Sequence, residues 1–420
     1  MSRWVWLLSQ VARRIWFRAS LFSLLAIATA LVAILIRNYI PGDLPTKIGA
    51  DAVDNILEII ASSMLTVTTF SLSTMVSAYS AATTNVTPRA TKLVMEDTTT
   101  QNVLATFVGS FLFSLVGIIA LSTGAYGESG RLVLFVVTIA VIVLIVVTLL
   151  RWIDHLSRLG RLTETTERVE KVTIAAMRSR RQRPYLGCHP LMNAPSDVPP
   201  IARPVFFSTI GYVQHLDARA LSKIAKSANG RIFVAAIPGE LIGPTVPVAW
   251  VDGLQEQDQE EKIRSCFAVG DTRSFDQDPR FGASVLAEIA SRALSPAVND
   301  PGTAIDVISR TIRVLAVWAE PVDPEVEKEV LYPNVYVPPL EVGDLFDDLF
   351  TPIARDGAGI VEVGLRLQKA FQTLAKFDDG GCRRHAKRHS IEALRRSQTA
   401  LSFDGDMERV KTCADAVGSG

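Results

Sequence analysis

The chain has 420 residues, 48% of them hydrophobic, and carries 43 basic against 43 acidic side chains. That length allows roughly two or three domains. A net charge of zero argues against nucleic-acid binding, which draws on a basic excess, so no nucleic acid is expected as a partner.

Most of the long apolar runs precede Arg151, and the residues after it read as a soluble α/β sequence. The expected fold class is therefore an α-helical polytopic membrane domain of about four spans, followed by a cytosolic α/β plus helical domain. Residues 1–18 carry Trp4, Trp6, Arg13, Arg14, Trp16 and Arg18, a mixture suited to an interfacial helix at headgroup level. The first apolar run, 19–36, is just long enough for a core of about 30 Å. A cleavable signal peptide is the weaker reading, because further spans come after it.

The second span, 53–82, is rich in hydroxyl residues. Glu58, Ser62, Thr66, Thr69, Ser73, Ser77 and Ser80 recur at steps of three or four, which places them in one stripe along a helix. Two readings fit. Small hydroxyl residues can pack helices while bonding back to their own carbonyls. Alternatively, the stripe lines a path for water or ions, and Glu58, an ionisable residue near a span, points that way. The exit, Thr87-Pro88-Arg89, reads as a helix start, with Arg89 either a topology charge or an anion contact at a pore mouth.

The third span, 103–121, holds a small-residue stripe of Ser110, Ser114 and Gly117 suited to close packing. The fourth, 132–150, is Val/Ile/Leu-rich and should face lipid; a short loop makes the two a hairpin. Basic residues concentrate on one side of the spans (Arg3, Arg13, Arg14, Arg18, Arg89, Lys92, Arg151, Arg158, Arg161), against Arg37, Lys47 and Arg131 on the other. Both termini should then be cytoplasmic, in a bacterial inner membrane. His155, just past the last span, is expected at the interface.

Residues 153–204 read as a helical extension and a proline-rich, extended linker (Pro184, Pro190, Pro195, Pro199, Pro200, Pro204). Next comes a small α/β module over 205–270, with strands at 205–213, 231–237 and 245–251 and a helix at 216–227. It can bind a small ligand, but nothing in it specifies one. Residues 271–420 read as mainly helical. Asp278-Pro279 and Asp300-Pro301 each look like a cap followed by a first-turn proline. Capping accounts for both aspartates without a metal. The stretch 320–348 is acidic and 382–389 is basic, suited to solvated faces, lipid contact or pairing with an acidic stretch.

Cys382, His385 and His389 have a C-x2-H-x3-H spacing, but cationic neighbours oppose a divalent ion, and no metal or other cofactor is expected. Cys188, Cys266, Cys382 and Cys413 lie far apart, as free thiols in a reducing compartment would. No nucleophile elbow, P-loop or H-E-x-x-H motif is present, so no enzyme is expected.

Two stretches, SLSTMVSAYSAATTNVTPRATKLVMED (71–97) and RSFDQDPRFGASVLAEIASRALSPAVNDPGTAIDVI (273–308), resemble the bacterial membrane proteins grouped as domain of unknown function 2254. The resemblance implies a bacterial inner-membrane protein with about four spans and a cytosolic domain, and implies no activity. From the residues, the leading expectation is a homo-oligomeric ion channel or pore lined by the second span, with a cytosolic regulatory domain. The bilayer, ions and further copies of the chain would be its partners. The alternative is a membrane-anchored sensor or scaffold whose stripe only packs helices.

Overall fold

A computed structural model describes residues 3–12, 14–36, 50–124, 127–193, 196–254, 257–322, 329–377 and 381–418. Arg13, Arg37, Lys47 and Pro195 fall outside them. The chain divides into two compact units, one of residues 7–165 and one of residues 1–6 with 166–420.

The first unit is helical. It contains most of α1 (Arg3–Ala12), then α2 (Ile15–Ile36), α3 (Ala50–Asn85), α4 (Pro88–Met95), α5 (Thr98–Ser122) and α6 (Gly127–Leu156). The expected device at 87–89 is present: Thr87 is extended and its side chain accepts from Arg89 N, with Pro88 opening α4. Asp97 caps α5, accepting from Thr100 N at 2.9 Å. Three helices, α3, α5 and α6, are long and apolar enough to cross a bilayer; counting the bent α1–α2 pair as one broken span gives four.

Helix α5 is the hub of this unit, with 61% of its most apolar window buried against 22% in α3 and 22% in α6. Its small residues permit this. Ser110 and Ser114 are buried, and a Cβ at Gly117 would lie 3.0 Å from Leu57 of α3. The expected small-residue stripe is thus a packing seam. Helix α6 turns Val136, Ile139, Val143 and Val147 outward, as a lipid-facing span should.

The second unit carries two sheets. Strands β1 (Cys188–Pro190), β2 (Arg203–Val205), β4 (Arg231–Val234), β6 (Ala249–Asp252) and β8 (Tyr332–Val337) form one, in the order β1-β8-β4-β6-β2. Strands β3 (Gly211–Leu216), β5 (Leu241–Ile242) and β7 (Phe267–Gly270) form the other, in the order β5-β3-β7, all antiparallel. The core holds Val205, Val213, Leu216, Ile232, Val234, Val251 and Val335, with Leu221 from α8 (Ala218–Ser227). A short helix, α9 (Gln257–Arg264), precedes β7.

Three features differ from the sequence expectation. The strand expected at 205–213 is two strands, β2 and β3, in different sheets. The proline-rich linker is not a free spacer, because it supplies β1 and β2. And β8 comes from the acidic stretch, pairing in parallel with both β1 and β4. Residues 205–270 and 271–420 therefore share one sheet and are not separate modules.

The remaining helices are α7 (Leu162–Gln182), α10 (Pro279–Ala293), α11 (Pro301–Ala316), α12 (Val342–Asp356), α13 (Val361–Leu374), α14 (Cys382–Ala400) and α15 (Asp404–Gly418). Asp278 caps α10 at Phe281 N (3.0 Å) and Asp300 caps α11 at Thr303 N (3.0 Å). Helices α7 and α10 meet at Gly282, where an added Cβ would overlap Thr173 Oγ1. Thr173 cannot easily yield, since its hydroxyl donates to Val169 O at 2.6 Å and the residue is buried. Gly282→Ala is therefore expected to destabilise this unit by about 1–3 kcal/mol, because overpacking a dense seam forces backbone shifts. Thermal unfolding of the full chain in detergent checks this; an unchanged midpoint would show that the seam is slack.

The N-terminal stretch, expected as one interfacial helix over 1–18, is split between two helices. Its first residues belong to the second unit. Arg3 N donates to Asp217 Oδ2 (2.7 Å), and Trp6 Nε1 donates to Asp276 Oδ2 (2.7 Å). Trp6 also stacks on His215 at 5.3 Å and is buried. Its amphipathic ring has found a protein partner in place of a headgroup.

Candidate functional site

The hydroxyl stripe lies on α3. The buried face of that helix carries Val53, Leu57, Ile60, Met64, Ser71 and Met75. Glu58, Ser62, Thr66, Thr69, Ser73, Ser77 and Ser80 are all exposed. At about 100° per residue the two sets lie on opposite sides of the helix. The stripe therefore faces away from every helix of its own unit. Apolar side chains flank it, with Leu65, Leu72 and Val76 on one edge and Ile59 and Phe70 on the other, all exposed.

Three of the hydroxyls are bonded along their own helix. Ser62 Oγ donates to Ile59 O (3.2 Å), Thr66 Oγ1 to Ser62 O (3.0 Å), and Thr69 Oγ1 to Leu65 O (3.1 Å) and Thr66 O (2.9 Å). At these three positions the proton is taken up by the backbone, and the hydroxyl presents oxygen lone pairs outward. Glu58 adds a carboxylate toward the N-terminal end of the span.

Several residues that the stripe pattern does not include hold α3 in this orientation. Trp152 of α6 donates its Nε1 proton to Ser71 Oγ at 2.9 Å, with both side chains buried. One turn on, His155 Nε2 lies 2.8 Å from Asp97 Oδ2, and Thr100 Oγ1 donates to the same oxygen at 2.6 Å. Trp152 stacks on His155 at 5.7 Å. His155 is thus not a free interfacial side chain but part of a clasp joining α6 to the start of α5. Ser63, Thr68 and Thr74 are also out of step with the stripe, but Ser71 is the one set opposite it and fully buried, and that position is the signal for its different role. The loop after α6 also seats against α3, for a Cβ at Gly160 would come within 3.2 Å of Ala78 O. Arg89 is exposed on α4, outside the stripe.

The second unit offers less. Asp278 is saturated by its cap and by Arg273, whose Nε and Nη2 reach the carboxylate at 2.7 and 2.9 Å. Burial raises its pKa, and the Arg273 hydrogen bonds oppose that rise. Burial also brings the Arg180 guanidinium down to about 10 and pushes the Cys188 and Cys266 thiols up to about 12. Those two thiols stay protonated and inert at neutral pH.

Cys382 and His389 are buried, and His389 lies among Phe346, Phe350 and Phe371. Burial, with Arg388 second, lowers the pKa of His389. Among the described residues no group of three or more His, Cys, Asp or Glu side chains is arranged to hold a metal ion. The basic cluster meets the acidic stretch within this one chain, through Arg388 and Asp347 at 2.7 Å.

A bundle of membrane-length helices with one polar outward face, followed by a unit of mixed sheets and helices, defines a polytopic membrane protein. The chain belongs to the family described as "Predicted membrane protein (DUF2254)", whose profile matches residues 12–373. Uncharacterized proteins of Mycobacterium tuberculosis and Mycobacterium bovis are each 28% identical over 134 residues, or 30% of this chain. That match spans only 26% of each relative's length. No solved structure matches.

Proposed function

We propose that the protein is a homo-oligomeric, cation-conducting pore in which the α3 stripes of several copies face a common axis. One observation carries this reading. Helices α3 and α6 are equally exposed, with 22% of their apolar windows buried, yet α3 has far the lower mean hydropathy. Lipid accounts for the outward face of α6. It does not account for a row of seven polar side chains along α3, since polar surface in hydrocarbon is costly. The apolar flanks would seal neighbouring copies, and the outward lone pairs with Glu58 would favour cations over anions. One unit has no room for a water-filled path, so several copies are needed. The soluble unit would sit in the cytoplasm and regulate the pore, with both termini inside a bacterial inner membrane, and without catalysis.

A second reading has its own support. Because the hydroxyl protons of Ser62, Thr66 and Thr69 are already bonded to backbone carbonyls, that part of the stripe can pack dry against a second copy. The protein would then be a membrane-anchored scaffold or sensor. Single cysteines from Ser62 to Ser80 separate the two in proteoliposomes. A pore labels with a water-soluble thiol reagent at Ser62, Thr66, Thr69 and Ser73. Uniform protection along that row would reject the pore.

A further inference from the structure

We propose that the membrane unit binds one anionic phospholipid, with an acyl chain in the groove between α2, α5 and α6 and its phosphate on Arg14 and Arg18. The groove is open, with a volume of about 150 Å³. Phe22, Ala26 and Thr29 of α2 form one wall, Thr106 and Gly109 of α5 the floor, and Leu144 of α6 the far edge. Gly109 lets α2 approach α5 closely, for a Cβ there would already touch the Phe22 backbone, 3.4 Å from Phe22 O. Of the three hydroxyl residues that line the groove, Ser110 is buried and the two threonines add little polarity. Thr29 donates to Leu25 O (2.8 Å) and Thr106 to Asn102 O (2.9 Å), so both turn methyl groups and lone pairs to the groove.

Charge sits at one end only. Arg18 is one turn before Phe22, and Asn102 is one turn before Thr106. Arg18 Nη1 donates to Asn102 Oδ1 at 2.6 Å, so this pair closes the groove where α2 begins. Arg18 Nε donates to Ala12 O (3.1 Å). Arg14 is exposed a further turn back. Among the described residues neither arginine pairs with a carboxylate.

A guanidinium with unused donors beside a membrane groove suits a phosphate, which it can hold with two parallel bonds. The dimensions agree as well. From Arg18 to Thr29 is eleven residues, or about 16 Å at the helical rise, close to half of a hydrocarbon core of about 30 Å. The groove thus runs from headgroup level through one leaflet. A second copy of the chain is disfavoured as occupant, because the two arginines would then be buried without an anion.

The experiment is native mass spectrometry of the full-length protein in detergent, titrated with phosphatidylglycerol or with phosphatidylcholine. One phosphatidylglycerol per chain is expected to persist where phosphatidylcholine dissociates. Arg14→Gln with Arg18→Gln should weaken phosphatidylglycerol by about tenfold or more and leave phosphatidylcholine unchanged, since juxtamembrane cations act on anionic heads. Ala26→Phe, which fills the groove, should lower the binding of both. Equal binding of the two lipids, or phosphatidylglycerol binding indifferent to the arginine change, overturns the proposal. So does cross-linking between copies through a cysteine at Leu25, which would make a second copy the occupant. The arginines are partly or fully solvent-facing, so their replacement leaves the core intact and decides the matter even where Ala26→Phe fails to fold.

Discussion

Leucine at Thr69 is expected to cut cation flux through reconstituted protein by roughly tenfold or more, and leucine at Ser73 should act similarly. Each change removes an outward oxygen and narrows the stripe with an apolar side chain. A hydrophobic ring at a constriction closes a pore by dewetting, so in the proposed oligomer the copies of one leucine would act together at the same level. Met64→Leu is the matched control. It lies on the buried face, and a volume-conserving swap there should cost less than about 1.5 kcal/mol and leave flux unchanged. The readout is flux in liposomes under a cation gradient, with the reversal potential in asymmetric salt. Full conductance with unaltered cation preference in both leucine variants would mean that α3 does not line the path. Loss in Met64→Leu as well would point to folding rather than lining.

The second large effect lies in the sheet-bearing unit. Glu170 of α7 accepts from Arg310 Nη1 (2.6 Å) and from Arg313 Nε and Nη2 (2.5 and 3.0 Å). The side chains of Glu170 and Arg310 are only 8% and 9% exposed. Both arginines have their pKa raised; at Arg313 the Glu170 hydrogen bond is the leading cause, and at Arg310 bonds from Asp306 and Glu170 overcome desolvation. Glu170→Leu leaves Arg310 buried with Asp306, at 2.7 Å, as its remaining ion-pair partner among the described residues. Removing one partner of a buried pair typically costs about 3–5 kcal/mol.

At the lower end, that corresponds to a fall of roughly 6–12 °C in the unfolding midpoint of a unit this size. The double variant Glu170→Leu with Arg310→Leu should recover part of the loss, because no uncompensated charge then remains buried. Thermal melts of the four proteins give the coupling. An additive double variant would show that the two side chains do not act as a pair.

The hydroxyl periodicity, the caps at Thr87, Asp278 and Asp300, and the small-residue seam of α5 were all legible in the sequence. Each rests on a local rule. A cap is decided by the three residues after it, and a stripe by spacing on one helix. Long apolar runs announce spans for the same reason, since the bilayer sets their length.

What depends on distant residues was not legible. The strand β8 lies in an acidic stretch, and its place between β1 and β4 is settled by partners over a hundred residues away. The sequence around 332–337 offers a strand but no neighbour. Likewise Trp6 carries the composition of an interfacial residue, and only Asp276 and His215, brought near by folding, make it a buried one. His155 reads as an interfacial histidine until Asp97 and Thr100 meet it.

By itself, then, the sequence determined that the protein has membrane-length helices, that one of them bears a polar stripe, and where several helices begin. Only the tertiary structure decided which way that stripe faces. Ser71 bonded to Trp152, and Leu57 packed on Gly117, turn the opposite side of α3 inward and leave Thr69 and Ser73 outside. The physical reason is that periodicity fixes the angle between two faces of a helix, whereas the partners available to each face fix which of them is buried.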